Sequence, residues 1–325
     1  MEQLAKELEK FTNRLEQGSD LFETRKLCDY GYQITPSSAK TFPDKEVALT
    51  LMAVTHGDEV GGIGVLNKFL DKIELEAVKL PFTMNLLLGN PWASQKNKRF
   101  LERDLNRSFA RATQTCHEEK RAKELEPILR ETKYLVDFHQ TIEPSRKSFF
   151  IFPYEEKGFN FARNLSSDVP IVTHWGGGFS KDGACTDEYV NINGGIGISI
   201  ELGHKGFDQN QEALGLNIAL RSLIVVEEHL ESRQRNLDHA DAEIYTWAEV
   251  LPYPEGDAFL DDGWENFNFV KKGQRLGYQD GEEILAPVSG PILFPKYIRE
   301  ASNGVRPKEL CRIMKKVKFE DLGRS

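Results

Sequence analysis

Three strand-sized apolar runs in this chain each end in a residue that can hold a metal ion or move a proton. Val47 to Val54 (VALTLMAV) reads as a buried strand, and His56 follows it within His56-Gly57-Asp58-Glu59. Tyr134 to Phe138 reads as a second strand and runs into His139, and Ile196 to Ile200 is a third that delivers Glu201. Continuous apolar runs without polar alternation suit strands covered on both faces, as in parallel sheets flanked by helices. Open sheets of that kind bind ligands beyond the carboxyl ends of their strands. Two imidazoles and a carboxylate are also the set with which a catalytic zinc keeps its fourth position for water. Taken alone, His56-x-x-Glu59 also fits two loop residues bonded to backbone. Its place at a strand end, with His139 and Glu201 at two others, points to a metal.

Strands and helices alternate from about Glu46 to Ser232. Glu59 to Leu70 carries Val60, Ile63, Val65, Leu66 and Phe69 at helical spacing, and Phe82 to Leu88 is a strand ending at Gly89-Asn90-Pro91. His117 to Lys133 is a charged helix despite Pro127, Ser148 to Phe152 a strand, and Asn210 to Glu231 a long helix. The pattern predicts an α/β fold with a parallel or mixed sheet between helices. Past Asp238 the texture changes to short segments between Pro and Gly, with strand-like runs at Asn268 to Val270 and Pro291 to Phe294. Two units follow: a catalytic α/β domain over 1–238 and a smaller β-rich domain over 239–325. Val270-Lys271-Lys272-Gly273-Gln274 and Ala286-Pro287-Val288-Ser289-Gly290 resemble the barrel-sandwich hybrid fold, without the lysine-bearing hairpin of its carrier domains.

Composition excludes several classes. A net charge of −9, from 42 basic and 51 acidic side chains, argues against general nucleic-acid binding. The apolar runs are too short for a membrane span. Leu4, Leu8, Phe11 and Leu15 mark the first residues as an amphipathic helix, with no signal peptide visible. Four scattered cysteines without a Cys-x-x-Cys pair suit a reducing, cytoplasmic setting. An oligomeric state is not legible.

A second constellation runs from Asn97-Lys98-Arg99-Phe100 to Arg103-Asp104-Leu105-Asn106-Arg107. It follows the strand ending at Leu88, so it can arrive over the same sheet edge. The planar guanidinium suits a carboxylate or a developing oxyanion, and an adjacent Asn can donate an amide hydrogen bond. In an acidic protein, this loop beside a metal suggests a small anionic substrate.

With these residues in view, the chain resembles the succinylglutamate desuccinylase/aspartoacylase family of the zinc carboxypeptidase superfamily. The resemblance rests on Thr55-His56-Gly57-Asp58-Glu59, Gly89-Asn90-Pro91, Lys98-Arg99 through Asp104-Leu105-Asn106-Arg107, Asp137-Phe138-His139 and Ile200-Glu201-Leu202-Gly203, across roughly residues 45 to 235. It implies a zinc-carboxypeptidase-like mixed sheet and one zinc held by His56, Glu59 and His139. It also implies Glu201 as general base, Arg99 polarising the scissile carbonyl, and Asn106 and Arg107 holding a substrate carboxylate. The expected activity is hydrolysis of the amide of an N-acyl amino acid. A carboxypeptidase acting on short peptides and a non-catalytic zinc-binding scaffold are the alternatives; a merely structural zinc needs neither Glu201 nor Arg99.

The chemistry of the side chains is compatible with those roles. A carboxylate can take a proton from water and pass it to a leaving amine, and a guanidinium can stabilise a tetrahedral oxyanion. Asp137, on the same strand face as His139, either orients that imidazole or forms a structural salt bridge. After His139 the chain departs from its better-known relatives. Succinylglutamate desuccinylases carry a basic residue near the position of Glu143; here either Arg146 replaces it from the next turn or the acyl group is a different one. The residues past 239 are expected to narrow the pocket mouth.

Overall fold

The computed structural model describes residues 2–37, 47–175, 183–233, 239, 241–298 and 307–323. A twelve-stranded mixed sheet forms the frame. At its centre Val47–Ala53 lies parallel to Met84–Leu88 on one side and to Thr132–Thr141 on the other, and Thr132–Thr141 lies parallel to Ile196–His204. All seven residues of Val47–Ala53 and all five of Met84–Leu88 are buried, as both-face coverage requires. Phe149–Pro153 then pairs antiparallel to Ile196–His204 and parallel to Ile171–His174.

The helices bury their apolar stripes against this sheet. Glu2–Gln17 turns Leu4, Leu8, Phe11 and Leu15 inward, as their spacing predicts. Gly61–Glu74 packs on Gln209–Leu230, and the approach is close: a Cβ at Gly215 would stand 2.4 Å from Val65 Cγ2. Pro127 lies inside the helix His117–Arg130.

Three features differ from the expectation, the first being that the strands bearing His139 and Glu201 run on to Thr141 and His204. The helix after the His56-to-Glu59 segment begins at Gly61 rather than Glu59. Glu59 is held instead in a turn, and Gln140 Oε1 from the neighbouring strand accepts the Gly61 N–H at 2.8 Å. The antiparallel hairpin of Phe22–Cys28 and Gly31–Pro36 is the third feature, added to the sheet edge beside Met84–Leu88.

Residues past 239 extend the sheet. Ile244–Pro252 pairs parallel to Ile171–His174, and Glu309–Val317, Gly290–Leu293 and Phe269–Val270 follow in antiparallel succession. Ala258–Leu260, Arg275–Gln279 and Glu282–Leu285 form a separate three-stranded sheet. Between them lies an apolar core of its own, with Leu260, Val270, Leu276, Ile292 and Leu310. The boundary expected at Asp238 lies outside the described residues.

Candidate active site

The central strands bring the predicted residues to one edge. Beyond Ala53 the chain bends through Val54, in the left-handed region at φ 59°, and presents His56. Gly57 is required by crowding, since a Cβ there would meet Ala93 Cβ and the Lys98 carbonyl at 2.5 Å. In the neighbouring strands His139 and Glu201 are register partners. His56, Glu59 and His139 each offer a ligand atom, and those atoms lie within 4.8 Å of one another. All three residues are buried, as is Glu201.

The donor set fits a metal ion. His139 Nε2 lies 3.0 Å from Asp137 Oδ2, which leaves Nδ1 facing Glu59 Oε2 at 2.9 Å. His56 Nδ1 is buried without a hydrogen-bond partner, although Glu59 Oε1 is 2.8 Å away. Its Nε2 lies between Asp104 Oδ1 at 3.1 Å and Arg99 Nη2 at 2.8 Å. Ligation through Nδ1 would select the tautomer whose Nε2–H donates to Asp104, and Arg99, itself only a donor, would then turn its Nη2 to a carboxylate instead. Each imidazole thus has a carboxylate behind it, the arrangement that fixes ring orientation at metal sites. Asp137 also accepts hydrogen bonds from the hydroxyls of Thr55 and Thr186, at 2.8 and 2.6 Å.

The electrostatics favour a cation. Burial opposes the charge on Glu59, yet His56, His139 and Arg99 hold its carboxyl well below the usual range. Burial likewise opposes ionisation of Asp104, and His56, Arg99 and Arg107 outweigh it. His139 shifts the other way: burial disfavours its charge, but Asp137 and Glu59 raise it well above an ordinary imidazole. Burial and the Glu59 carboxylate push Glu201 up to about 7, and its Oε2 has no hydrogen-bond partner.

The Arg99–Arg107 loop arrives as expected, but Arg99 lies against the His-Glu-His group, with Nη1 2.7 Å from Glu59 Oε1. Asn106 Oδ1 accepts the Thr186 N–H at 2.9 Å, and Arg107 donates to the Asn106 carbonyl and to Cys185 Sγ. Glu118, a residue the sequence reading passed over, fastens this loop. Its fully buried carboxylate accepts the N–H groups of Leu101, Glu102 and Arg103 at 2.6, 3.1 and 3.1 Å, and the Asn90 amide at 3.0 Å. Glu118 also groups with Glu102 and Cys116 as a possible cation set. These bonds give its oxygens a structural task instead.

A cavity of about 390 Å³ joins these parts. Its walls include His56, Glu59, His139, Glu201, Arg99, Asn106 and Arg107. Residues past 239 close it from the other side, among them Asn266, Phe294, Lys296, Glu309 and Arg312. Arg146 is outside it: its side chain is 62% exposed and its Nε lies 3.4 Å from Glu265 Oε2. His204 is exposed at its strand end and does not line the cavity. Asp104, Cys185 and Lys296 do line it, and only tertiary structure shows that. Among the described residues no helix is long and apolar enough to cross a membrane.

Comparison with known proteins places the chain in one family. Residues 45–224 match the model of the succinylglutamate desuccinylase/aspartoacylase catalytic domain, and the chain belongs to that family. It is 34% identical over 294 residues to an N-acyl-aromatic-L-amino acid amidohydrolase (carboxylate-forming) of Xenopus laevis, covering 76% of this chain and 88% of that one. A succinylglutamate desuccinylase of Pseudomonas paraeruginosa is 26% identical over 315 residues, covering 91% of this chain and 92% of the relative. Among solved structures, the succinylglutamate desuccinylase of Chromobacterium violaceum shares the fold with a TM-score of 0.68 at 18% identity, covering 95% of this chain and 98% of that one. Murine aminoacylase 3 does so with a TM-score of 0.64 at 19% identity, covering 84% and 97%.

Proposed function

We propose that this protein is a zinc-dependent hydrolase that cleaves the amide bond of a small N-acyl amino acid. The observation that carries the reading is the enclosure of a His-Glu-His group, Glu201, Arg99 and Arg107 within one cavity of about 390 Å³. That size suits a small molecule. Relatives named as a desuccinylase of succinylglutamate and an amidohydrolase of N-acyl-aromatic amino acids support this substrate class.

His56, Glu59 and His139 would hold one zinc, which supplies a Lewis acid and lowers the pKa of water. Glu201 accepts the proton of the attacking water and returns it to the leaving amine, a task suited to a carboxyl pushed up to about 7. Arg99 stabilises the charge that develops on the carbonyl oxygen. Asn106 and Arg107 receive the carboxylate of the amino acid. The residues past 239 act as a roof that admits small acyl-amino acids and turns away longer chains. We place the protein in the cytoplasm, in keeping with four free cysteines.

Zinc analysis followed by hydrolysis assays on N-acetyl, N-formyl and N-succinyl amino acids beside dipeptides tests the reading. Turnover of at least one acyl amino acid, dependent on zinc, is expected. Turnover of peptides alone would establish the carboxypeptidase alternative instead.

A further inference from the structure

One carboxyl group in the cavity has no task in the reaction above. Asp187 lies in Thr186–Ile192, the short helix that precedes the strand bearing Glu201, and it lines the cavity although it is only 2% exposed. Its neighbours fix its place. The Thr186 hydroxyl donates to Asp137 at 2.6 Å, the Thr186 N–H to Asn106 Oδ1 at 2.9 Å, and the Cys185 N–H to Glu188 Oε2 at 2.9 Å. Asp187 also packs directly on the strand, since a Cβ at Gly197 would stand 2.6 Å from the Asp187 carbonyl oxygen. Residues two apart share a strand face, so Gly197, Ser199 and Glu201 form one row. Asp187 stands over the end of that row, and Ser199 lies between it and the base. Ser199 lines the cavity too, and its hydroxyl makes no hydrogen bond among the described residues.

Other carboxylates around the cavity have cationic partners. Glu59 meets Arg99 and both imidazoles, Asp104 meets His56, and Glu309 forms a two-pronged pair with Arg312. Glu143 is only half-buried. The Asp187 carboxyl accepts one hydrogen bond, from the Glu188 N–H at 2.9 Å, and has no ion-pair partner among the described residues. Burial pushes it up to about 7, with the charges of Glu188 and Asp137 acting in the same direction. The opposite wall is clamped in place. Asn266, fully buried, donates to the carbonyls of Glu143 and Pro144 at 3.1 Å each and accepts the Phe294 N–H at 2.7 Å. Lys296 on that wall has its Nζ 5.4 Å from the centroid of the Phe294 ring. A ligand cation would supply the positive charge that Asp187 lacks. A primary ammonium suits the place, because its three N–H donors can serve the carboxylate and the Ser199 hydroxyl together.

Building on the deacylase reading, we propose that Asp187, with Ser199, is a specificity-determining pair that binds a positively charged side chain on the amino-acid half of the substrate. The half follows from the neighbours: Thr186 bonds to Asn106 and Cys185 to Arg107, the two residues assigned to the carboxylate of the amino acid. The preferred substrates are then α-N-acyl amino acids that carry a side-chain ammonium.

The test compares kcat/KM of the zinc-loaded protein on pairs of α-N-acetyl amino acids that differ by one amino group. The pairs are diaminobutyrate with aminobutyrate, ornithine with norvaline, and lysine with norleucine, which together vary the reach of the ammonium. The wild type should favour the basic member of at least one pair by about 10- to 100-fold, as a charge-assisted hydrogen bond contributes. Asp187→Asn keeps the bond to the Glu188 N–H and should bring that ratio down to about one. Ser199→Ala should lower it by less. A merely structural role for Asp187 would lower both members of a pair alike and leave the ratio where it was. A wild type that favours no basic member, or a ratio unmoved by Asp187→Asn, overturns the proposal. Calorimetric titration with free diaminobutyrate, ornithine and lysine separates it from the reading beneath it. Failure of the wild type to hydrolyse any acyl amino acid overturns the deacylase reading. Even then, binding of one of these amino acids weakened about 10-fold or more by Asp187→Asn would uphold the cation subsite, and binding unaltered by the substitution would overturn it.

Discussion

His139 Nδ1 and Glu59 Oε2 face each other at 2.9 Å while the opposite nitrogen of the ring lies against the Asp137 carboxylate. With its Nε2–H donated to Asp137, a neutral His139 would direct a lone pair at a carboxylate oxygen. Something positive has to stand between them. In the metal-free protein a proton suits that place, since Asp137 and Glu59 raise the imidazole well above its ordinary value against burial. A metal bound there as proposed would have to displace it.

Metal binding should accordingly release protons. Because His139 is raised well above the ordinary imidazole range, it is charged at neutral pH without metal, so zinc affinity should climb as pH rises beyond about 6.5. Calorimetry in two buffers of different ionisation enthalpy reads the release directly. Zinc binding with no net proton release at pH 7 would contradict this account.

His56→Ala removes a proposed ligand whose buried Nδ1 has no hydrogen-bond partner, and zinc content and turnover should be lost together. Metal analysis of the purified variant checks it. Stoichiometric zinc surviving in a His56→Ala/His139→Ala double variant would refute the assignment.

Glu201→Gln keeps the shape of the side chain and removes its capacity to take a proton. Turnover should fall by at least about 100-fold with zinc content unchanged. Near-normal turnover would mean that another group activates the water.

Arg107 and Arg99 should separate kinetically. Arg107→Ala should mainly raise KM for a carboxylate-bearing substrate, and Arg99→Ala should mainly lower kcat, as anchoring and transition-state stabilisation require. The comparison uses an acyl amino acid and its uncharged amide. Equal effects of both variants on both compounds would contradict the roles.

Glu118→Ala should destabilise the whole protein, although Glu118 is not among the cavity-lining residues. It strands the N–H groups of Leu101, Glu102 and Arg103. At about 1 kcal/mol or more per orphaned group, the loss is at least about 3 kcal/mol. A thermal midpoint lower by about 4 °C is expected. An unchanged midpoint would show that the loop finds other acceptors.

Much of the catalytic edge was legible because its strands are buried on both faces. An unbroken run such as Val47 to Val54 announces its geometry, and His56 follows it, while His139 and Glu201 lie inside strands that run on to Thr141 and His204. The hairpin from Phe22 to Pro36 gave no such signal: Phe22–Cys28 is an edge strand whose residues, apart from Phe22, are only partly buried or exposed. Glu118 reads as an acidic residue in the first turn of a helix, and its partners lie at least fifteen residues away in sequence. Lys296 and the cavity are separated from His56 by most of the chain. Their meeting depends on how the strands after Ile244 join the sheet, which no local pattern encodes. Arg146 is the converse case, close in sequence to His139 yet turned outward to Glu265.

The strand Ile244–Pro252 hydrogen-bonds to Ile171–His174 on one side and Glu309–Val317 on the other. The wall bearing His139 and the wall bearing Lys296 therefore belong to one lattice of backbone hydrogen bonds, cross-tied by Asn266. Such a frame acts as a fixed gauge: the span between ligand residues and roof is set when the chain folds. Changes in substrate preference then have to come from exchanging side chains along the roof, with the ligand geometry left untouched.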